Sequence, residues 1–283
     1  IYANVAYQYN YTGAGVGVAI IDSGVTPHGD LAGRIAYSES FVPNDFSTLD
    51  GYGHGTHVAG IVAGNGAGST GTGATRVFRG IAPGAKIINL RVLNNVGAGS
   101  DSAVIAAIDR AIELKGVHNI KVINLSLGRR VMESFTVDPL CQAVQRAWEA
   151  GIVVVVAAGN SGRDNTMGTN GYATIGSPGN SPLAITVGAM RDMGSTSRAD
   201  DRIASYSSKG PTLLDRVVKP DLVAPGNNIV SALASSTSTL AVNYPNKVVN
   251  QSYYRPGTTG KGPYLRLSGT SMAAPVVSGA AAL

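Results

Sequence analysis

A single cysteine, Cys141, stands in 283 residues, so no internal disulfide can form. It falls in a helical pattern and reads as a small buried hydrophobe rather than a nucleophile; one cysteine does not settle the compartment. Charge is scarce too: Asp, Glu, Lys and Arg make up 14% of the chain, against roughly 25% in ordinary soluble domains. The balance is basic, +5, yet Lys and Arg are scattered and Arg129-Arg130 is the only basic pair. Without a basic stripe or aromatic interleaving, nucleic-acid binding is not expected. Long apolar runs are missing as well. The longest, Ile152 to Ala158, is far short of the ~18 residues of a membrane span, so no membrane partner is expected. The 37 glycines follow no three-residue period, which excludes a collagen-like chain and implies many tight turns. Because the chain opens on Ile1 rather than Met, any leader is expected to lie outside it.

What is present is apolar and periodic. Hydrophobic residues are 44% of the chain, enough for a substantial core. Val16–Asp22, Lys86–Leu93, Lys121–Leu127, Ile152–Ala158 and Ala184–Met190 are short, β-branched and nearly continuously apolar, as parallel strands covered on both faces should be. Between them lie helical patterns. Ser100 or Asp101 can cap a helix carrying Val104, Ala107, Ile108, Ala111 and Ile112, with Gly116 ending it. Asp138-Pro139 opens another with Leu140, Val144, Ala147 and Trp148 on one face, and Gly151 closes it. Alternating strands and helices argue for a parallel α/β sheet, with no repeat or linker dividing the chain. Residues 227–268 break this rhythm; rich in Ser, Thr, Asn and Tyr, they read as a surface excursion near the functional face, or as a hairpin.

Three polar signals fall where α/β sheets gather ligands, beyond the carboxyl ends of strands. Asp22 ends the first strand and, read alone, is more often a turn or cap residue. His54 lies in GHGTHVAG, where glycines punctuate the start of a small-residue helix. Ser271 lies in SGTSMAAP, at the junction of a tight turn and an apolar helix. It either caps that helix or is presented as a nucleophile. A serine hydroxyl needs a base to take its proton, an imidazole can do this near neutral pH, and a carboxylate can fix that imidazole's tautomer.

In chain order, IIDSGV, GHGTHVAG, SLG, AAGNSG and GTSMAAP resemble the blocks of the subtilisin-like serine proteases (subtilases), from about Asn10 to Leu283. The resemblance implies an α/β three-layer sandwich, a central mostly parallel sheet flanked by helices, built as a single catalytic domain over residues 1–283. It implies a serine endopeptidase in which Asp22 orients, His54 is general base and acid, and Ser271 forms the acyl-enzyme. Asn160 would donate to the oxyanion beside the Ser271 N–H, and His57 would pack. Gly269 is expected to give a sharp turn and room for substrate. Ser126, Leu127, Gly128 and Gly97, Ala98, Gly99 would flank an extended peptide, with Ala157, Ala158 and Gly159 walling the primary specificity pocket. Their small uncharged side chains predict apolar or bulky uncharged residues there. Ser161 replaces a carboxylate that some bacterial members carry, and no acidic cluster awaits Lys or Arg. Activity is expected to fall near pH 6 or below as His54 is protonated.

The partners implied are protein or peptide substrates and an N-terminal propeptide acting as inhibitor and chaperone, with secretion as the expected destination. No cofactor is needed for catalysis. Structural calcium is compatible with the family but not assignable, because the loop between His54 and Ala82-Pro83-Gly84 has no Asp or Glu. Arg129-Arg130 after SLG departs from the family and should alter the outer subsites. The chain stops within the helix behind Ser271, so it is expected to lack the C-terminal end of the fold and to be less stable than a longer chain. Other readings fare worse. A lipase-type G-x-S-x-G fails at Ala273, and none of the twelve residues after Ser271 is acidic or His. Gly66-Ala-Gly-Ser-Thr-Gly71 follows a helix rather than a strand, and His54 and His57 have no third zinc ligand near them in sequence. The remaining alternative is a catalytically inactive relative acting as a binding or regulatory module.

Overall fold

Burial on both faces is what turns the apolar runs into sheet. The computed structural model describes residues 2–195 and 197–283. Its strands are β1 Gly17–Asp22, β2 Ile35–Ser40, β3 Lys86–Arg91, β4 Ile120–Leu125, β5 Val153–Ala157, β6 Ile185–Arg191, β7 Arg202–Ile203, β8 Leu222–Pro225, β9 Ile229–Ala232, β10 Val248–Asn250 and β11 Lys261–Leu267. Its helices are α1 Ala3–Gln8, α2 Gly55–Ala63, α3 Asp101–Glu113, α4 Lys115–His118, α5 Pro139–Glu149, α6 Thr239–Asn243 and α7 Thr270–Ala282. The main sheet runs β2-β3-β1-β4-β5-β6-β7, with β8 also paired to β6. All its pairings are parallel except β6 with β7.

Alternation along the strands sorts the core into two layers. Val18, Ile20, Ile87, Val122 and Val155 face α2 and α7, packing with Val58, Val62, Met272 and Val276. Ala19, Ile21, Ile88, Leu90, Ile123 and Val156 face α3 and α5, packing with Val104, Ile108, Leu140 and Val144. The result is a three-layer α/β sandwich. Because β1 lies between β3 and β4, the direction of strand addition reverses there. The crevice beyond the carboxyl ends of β1 and β4 is therefore the switch point at which such sheets hold ligands.

Two helical details differ from the sequence reading. Ser100 caps α3 through the Ala103 N–H, but Gly116 does not end the helical stretch; it lies within α4, which ends at left-handed Asn119 (φ 46°). Trp148 is 48% exposed, so its ring extends beyond the buried face of α5. Asp138 does cap that helix, and Gly151 follows it with φ 76°.

Residues 227–268 are more ordered than a surface excursion. β9, β10 and β11 form an antiparallel sheet in the order β10-β11-β9, a fuller arrangement than a hairpin. Tyr264 and Leu265 are fully buried. The sheet is fastened to α2 at two places. An added Cβ on Gly60 would lie 2.3 Å from Ser231 Oγ, so only glycine permits this approach. His57, buried in α2, places Nε2 3.0 Å from the Leu265 carbonyl and 3.2 Å from that of Ile229. Burial lowers its pKa to about 3, with the nearby His54 adding to the effect. The ring is thus neutral, with Nε2–H donating.

Between pH 6.5 and about 3 the unfolded chain binds a proton at His57 that the folded chain refuses. Folding stability should therefore fall with pH through that interval. His57→Leu is expected to lower stability at pH 8 by about 1–3 kcal/mol, leaving carbonyls unpaired, and to flatten this part of the pH dependence. Urea unfolding at several pH values checks both.

Candidate active site

β1 delivers Asp22 to the switch point with its carboxylate buried. Asp22 Oδ1 accepts the Ser23 backbone N–H at 2.8 Å and lies 2.7 Å from His54 Nδ1. Asp22 Oδ2 is buried and has no hydrogen-bond partner among the described residues. The carboxylate charge is thus answered mainly by the imidazole. His54 occupies the N-cap position of α2, but its ring does not cap the helix. Gly53 before it has φ 100°, a left-handed backbone that favours glycine, and turns the chain into the helix.

The His54 loop hangs on Asp50, a residue the sequence reading did not single out. Asp50 Oδ1 accepts from Ser23 Oγ (2.8 Å) and the Gly53 N–H (2.6 Å), and Oδ2 accepts from the Thr56 N–H (2.8 Å). Ser23 Oγ in turn accepts the Gly55 N–H at 2.9 Å. Asp50 thereby ties the end of β1 to the start of α2. Burial pulls the His54 pKa down, but the charge of Asp22, the hydrogen bond to it and the charge of Asp50 outweigh this, leaving it raised above 6.5. That moves the expected loss of base function to higher pH than the sequence reading set it.

Ser271 is the second residue of α7, where helix N–H groups lack intrahelical partners and the dipole is positive. Asn160, exposed just beyond β5, is oriented by its neighbours. Its Oδ1 accepts the Thr270 N–H at 2.9 Å and Thr270 Oγ1 at 3.2 Å, leaving Nδ2 as the amide's free donor. Thr270 Oγ1 also accepts the Gly159 N–H at 3.1 Å, fixing helix to strand end. Gly269 is extended (φ 161°), not the sharp turn expected; an added Cβ would sit 3.5 Å from Asn160 Nδ2.

Pro275 gives Ser126 a role. A helix would normally bond the N–H at 275 to the Ser271 carbonyl, and proline has none. Ser126 Oγ donates to that carbonyl instead, at 2.9 Å. Asn124 Nδ2 donates to Ser126 Oγ at 2.9 Å, and Ser278 Oγ donates to Asn124 Oδ1 at 2.8 Å. A polar chain thus leaves α7, passes along the end of β4 and returns to α7 at Ser271.

His54, Asn160 and Ser271 line one cleft of about 570 Å³, together with Gly97, Ala98, Gly99, Ser126, Leu127 and Gly128. No hydrogen bond joins Ser271 Oγ to His54 among the described residues. An adjoining cavity of about 390 Å³ is lined by Leu127, Gly128, Ala157, Gly159, Asn160, Thr174 and Gly176 among others. Ala158 does not line it; that residue is fully buried, with its N–H on Val187 and its carbonyl on Gly176. Arg91, buried beneath the 92–99 segment, donates to Ser47 O and Asn95 Oδ1 and pairs with Asp45 at 2.8 Å. Arg129 is neutralised by Asp101 at 2.7 Å and Asp138 at 3.0 Å, whereas Arg130 is exposed and has no ion pair among the described residues. Cys141 is buried, and burial pushes its thiol up to about 12. Among the described residues no group of three or more His, Cys, Asp or Glu side chains gathers as a metal would require. No described helix is long and apolar enough to cross a membrane.

The chain matches the Subtilase family over residues 13–283. It is 43% identical over 277 residues to the serine protease AprX of Bacillus subtilis (strain 168), covering 96% of this chain and 57% of that protein. It is 35% identical over 284 residues to subtilisin DY of Bacillus licheniformis, covering 100% of this chain and 81% of that protein. Among solved structures, Sphericase superposes with a TM-score of 0.72 at 30% identity, over 96% of this chain and 77% of that one. A cold-adapted subtilisin-like serine proteinase gives 0.67 at 31% identity, over 96% and 76%. With family, relatives and fold in agreement from residue 13 onward, the chain belongs to the subtilase family, as a subtilisin-like serine endopeptidase.

Proposed function

We propose that residues 1–283 act as a single catalytic domain that cleaves protein chains through an acyl-enzyme on Ser271. The observation that carries this reading is the 2.7 Å contact of buried Asp22 with His54, in a cleft that His54 shares with Ser271 and Asn160. The attack requires Ser271 Oγ to turn to His54 Nε2 across the cleft that both residues line. As Oγ attacks the scissile carbonyl carbon, its proton passes to Nε2, and the Asp22 charge stabilises the imidazolium. The carbonyl oxygen, now negative, takes hydrogen bonds from Asn160 Nδ2 and the Ser271 N–H. His54 then gives the proton to the leaving amine. Water, deprotonated by the same ring, hydrolyses the ester and restores Ser271.

Substrate would bind extended, pairing by backbone with Gly97–Gly99 and Ser126–Gly128. The side chain of P1, the residue whose carbonyl is attacked, would enter the 390 Å³ cavity. No carboxylate lines that cavity among the described residues, and Arg129 and Arg130 stand at it. Uncharged, apolar or bulky P1 residues fit this lining; Lys and Arg do not. By family resemblance we also propose synthesis with an inhibitory N-terminal propeptide and secretion.

Casein incubated with the protein should be degraded, and Ser271→Ala should reduce the rate by about 10⁴-fold or more; equal cleavage by both proteins would remove Ser271 from the mechanism. In peptide series, Leu or Phe at P1 should exceed Lys at least about tenfold in kcat/KM. Because His54 must be neutral to act and its pKa is raised, kcat/KM should fall with decreasing pH around a midpoint above 6.5. Asp50→Asn removes one of the charges that raise it, so the midpoint should move down. A pH–rate profile of both proteins reads the shift.

A further inference from the structure

Outside the cleft, the small sheet and the end of β6 gather cations that nothing neutralises. Arg76 and Arg266 both stand over the ring of Tyr253, their guanidinium carbons 4.4 and 4.6 Å from its centroid. A ring face attracts a guanidinium but does not cancel its charge. Exposed Arg191 and Lys247 flank the pair, and β7 sets Arg202 directly opposite Arg191. Among the described residues, Arg191, Lys247 and Arg266 make no ion pair and no side-chain hydrogen bond. Asp192 is the one carboxylate lining this surface among the described residues. In a chain with only 14% charged residues, such a concentration of one sign attracts anions.

The surface is also shaped. Two hollows meet at Tyr253 and Arg266. One, of about 550 Å³, extends to Arg191, Met193, Ile229 and Val230; the other, of about 330 Å³, extends to Lys247 and Asn250. The platform between them is held in place before any ligand arrives. Arg76 donates to the Tyr253 carbonyl at 2.6 Å, and the Tyr253 ring lies parallel to Phe78 at 6.2 Å. Phe78 in turn meets Tyr254 and Tyr264 edge-on, at 5.5 and 4.8 Å, in a buried cluster. The groove and the cleft occupy two sides of one strand end. Arg266 lines the groove, the next residue Leu267 lines the cleft, and the Asn228 N–H donates to Ser268 Oγ at 2.8 Å.

We infer that this groove holds an acidic segment of a protein substrate, outside the stretch being cleaved. The inference rests on the endopeptidase reading of the cleft. A surface that continues past both sides of one ring suits an extended chain better than a compact ion. Met193, Ile229 and Val230 lie among the cations, where a peptide can place apolar side chains between its carboxylates and a phosphate backbone cannot. A segment held here keeps the rest of its chain beside the cleft and raises its local concentration there. Salt should weaken the effect, because the cations are largely open to solvent.

The test has two readouts. In a Ser271→Ala background, which spares the probes, fluorescence anisotropy follows a labelled peptide of alternating Asp and Val. The comparison probes are its counterpart with Asn for Asp and a single-stranded oligodeoxynucleotide of equal charge. At low salt the acidic peptide should bind about tenfold tighter than the Asn peptide, and Arg191→Gln with Arg266→Gln should remove most of that difference. Arg191→Gln alone, at an exposed side chain, should weaken acidic-peptide binding about threefold, so the result does not hinge on repacking around Arg266. The second readout uses a peptide with Phe at P1, with and without the acidic segment joined by a flexible linker to either end. With Ser271 intact, kcat/KM should rise about fivefold when the segment is joined to at least one end. That ratio should return to about one in the double variant. Equal binding of the acidic and Asn peptides, tighter binding of the oligonucleotide, or no gain in cleavage at either end overturns the inference and leaves the endopeptidase reading standing. Failure of the wild-type protein to cleave the untailed peptide overturns the reading beneath it as well.

Discussion

A buried carboxylate held against an imidazole is the constraint from which the site is built. Asp22 is taken out of water at the end of β1, with one oxygen on His54 and Ser23 and the other without a partner. Such a group is costly to bury unless a cation or strong donor faces it. In this position it holds the ring by Nδ1 and favours imidazolium whenever Nε2 gains a proton. The surrounding fold maintains that contact. Strand reversal at β1 opens the crevice, Asp50 fixes the loop into α2, and α2 brings His54 to its mouth.

The second half of the site is positioned by what α7 lacks. Pro275 withholds an N–H from Ser271, and the vacancy is filled by Ser126, whose segment is proposed to pair with substrate. The proposed nucleophile and the proposed subsite are thus coupled through one hydrogen bond and the Asn124–Ser278 pair behind it. Asn160 is aligned by a related device. By accepting from Thr270 with its oxygen, it commits its nitrogen to the cleft. In each case an unsatisfied helix-terminal group recruits a side chain from the neighbouring strand end.

Local chemistry was legible in the sequence, and long-range pairing was not. The apolar runs located β1, β3, β4, β5 and β6 within two residues, because burial on both faces leaves a continuous signal. Asp22, His54 and Ser271 stood in distinctive blocks. Asp50 did not, because Leu49-Asp50-Gly51 reads as an ordinary turn and its partners lie at residues 23, 53 and 56. The β9–β11 sheet reads in sequence only as an excursion or a hairpin because β9 and β10 are short, and its paired strands β9 and β11 are separated by α6 and β10. Gly116 misled because Asn119, not glycine, takes the left-handed residue that ends α4.

Covalent labelling of the serine reports on the Asp22–His54 contact. A fluorophosphonate reacts with a serine whose proton is withdrawn by a correctly oriented base, and peptide mapping locates the adduct. A single adduct on Ser271 is expected, formed about 10³–10⁴-fold more slowly in Asp22→Asn, where the ring loses its charged anchor. Labelling of Asp22→Asn at the native rate, or an adduct on another residue, would contradict it.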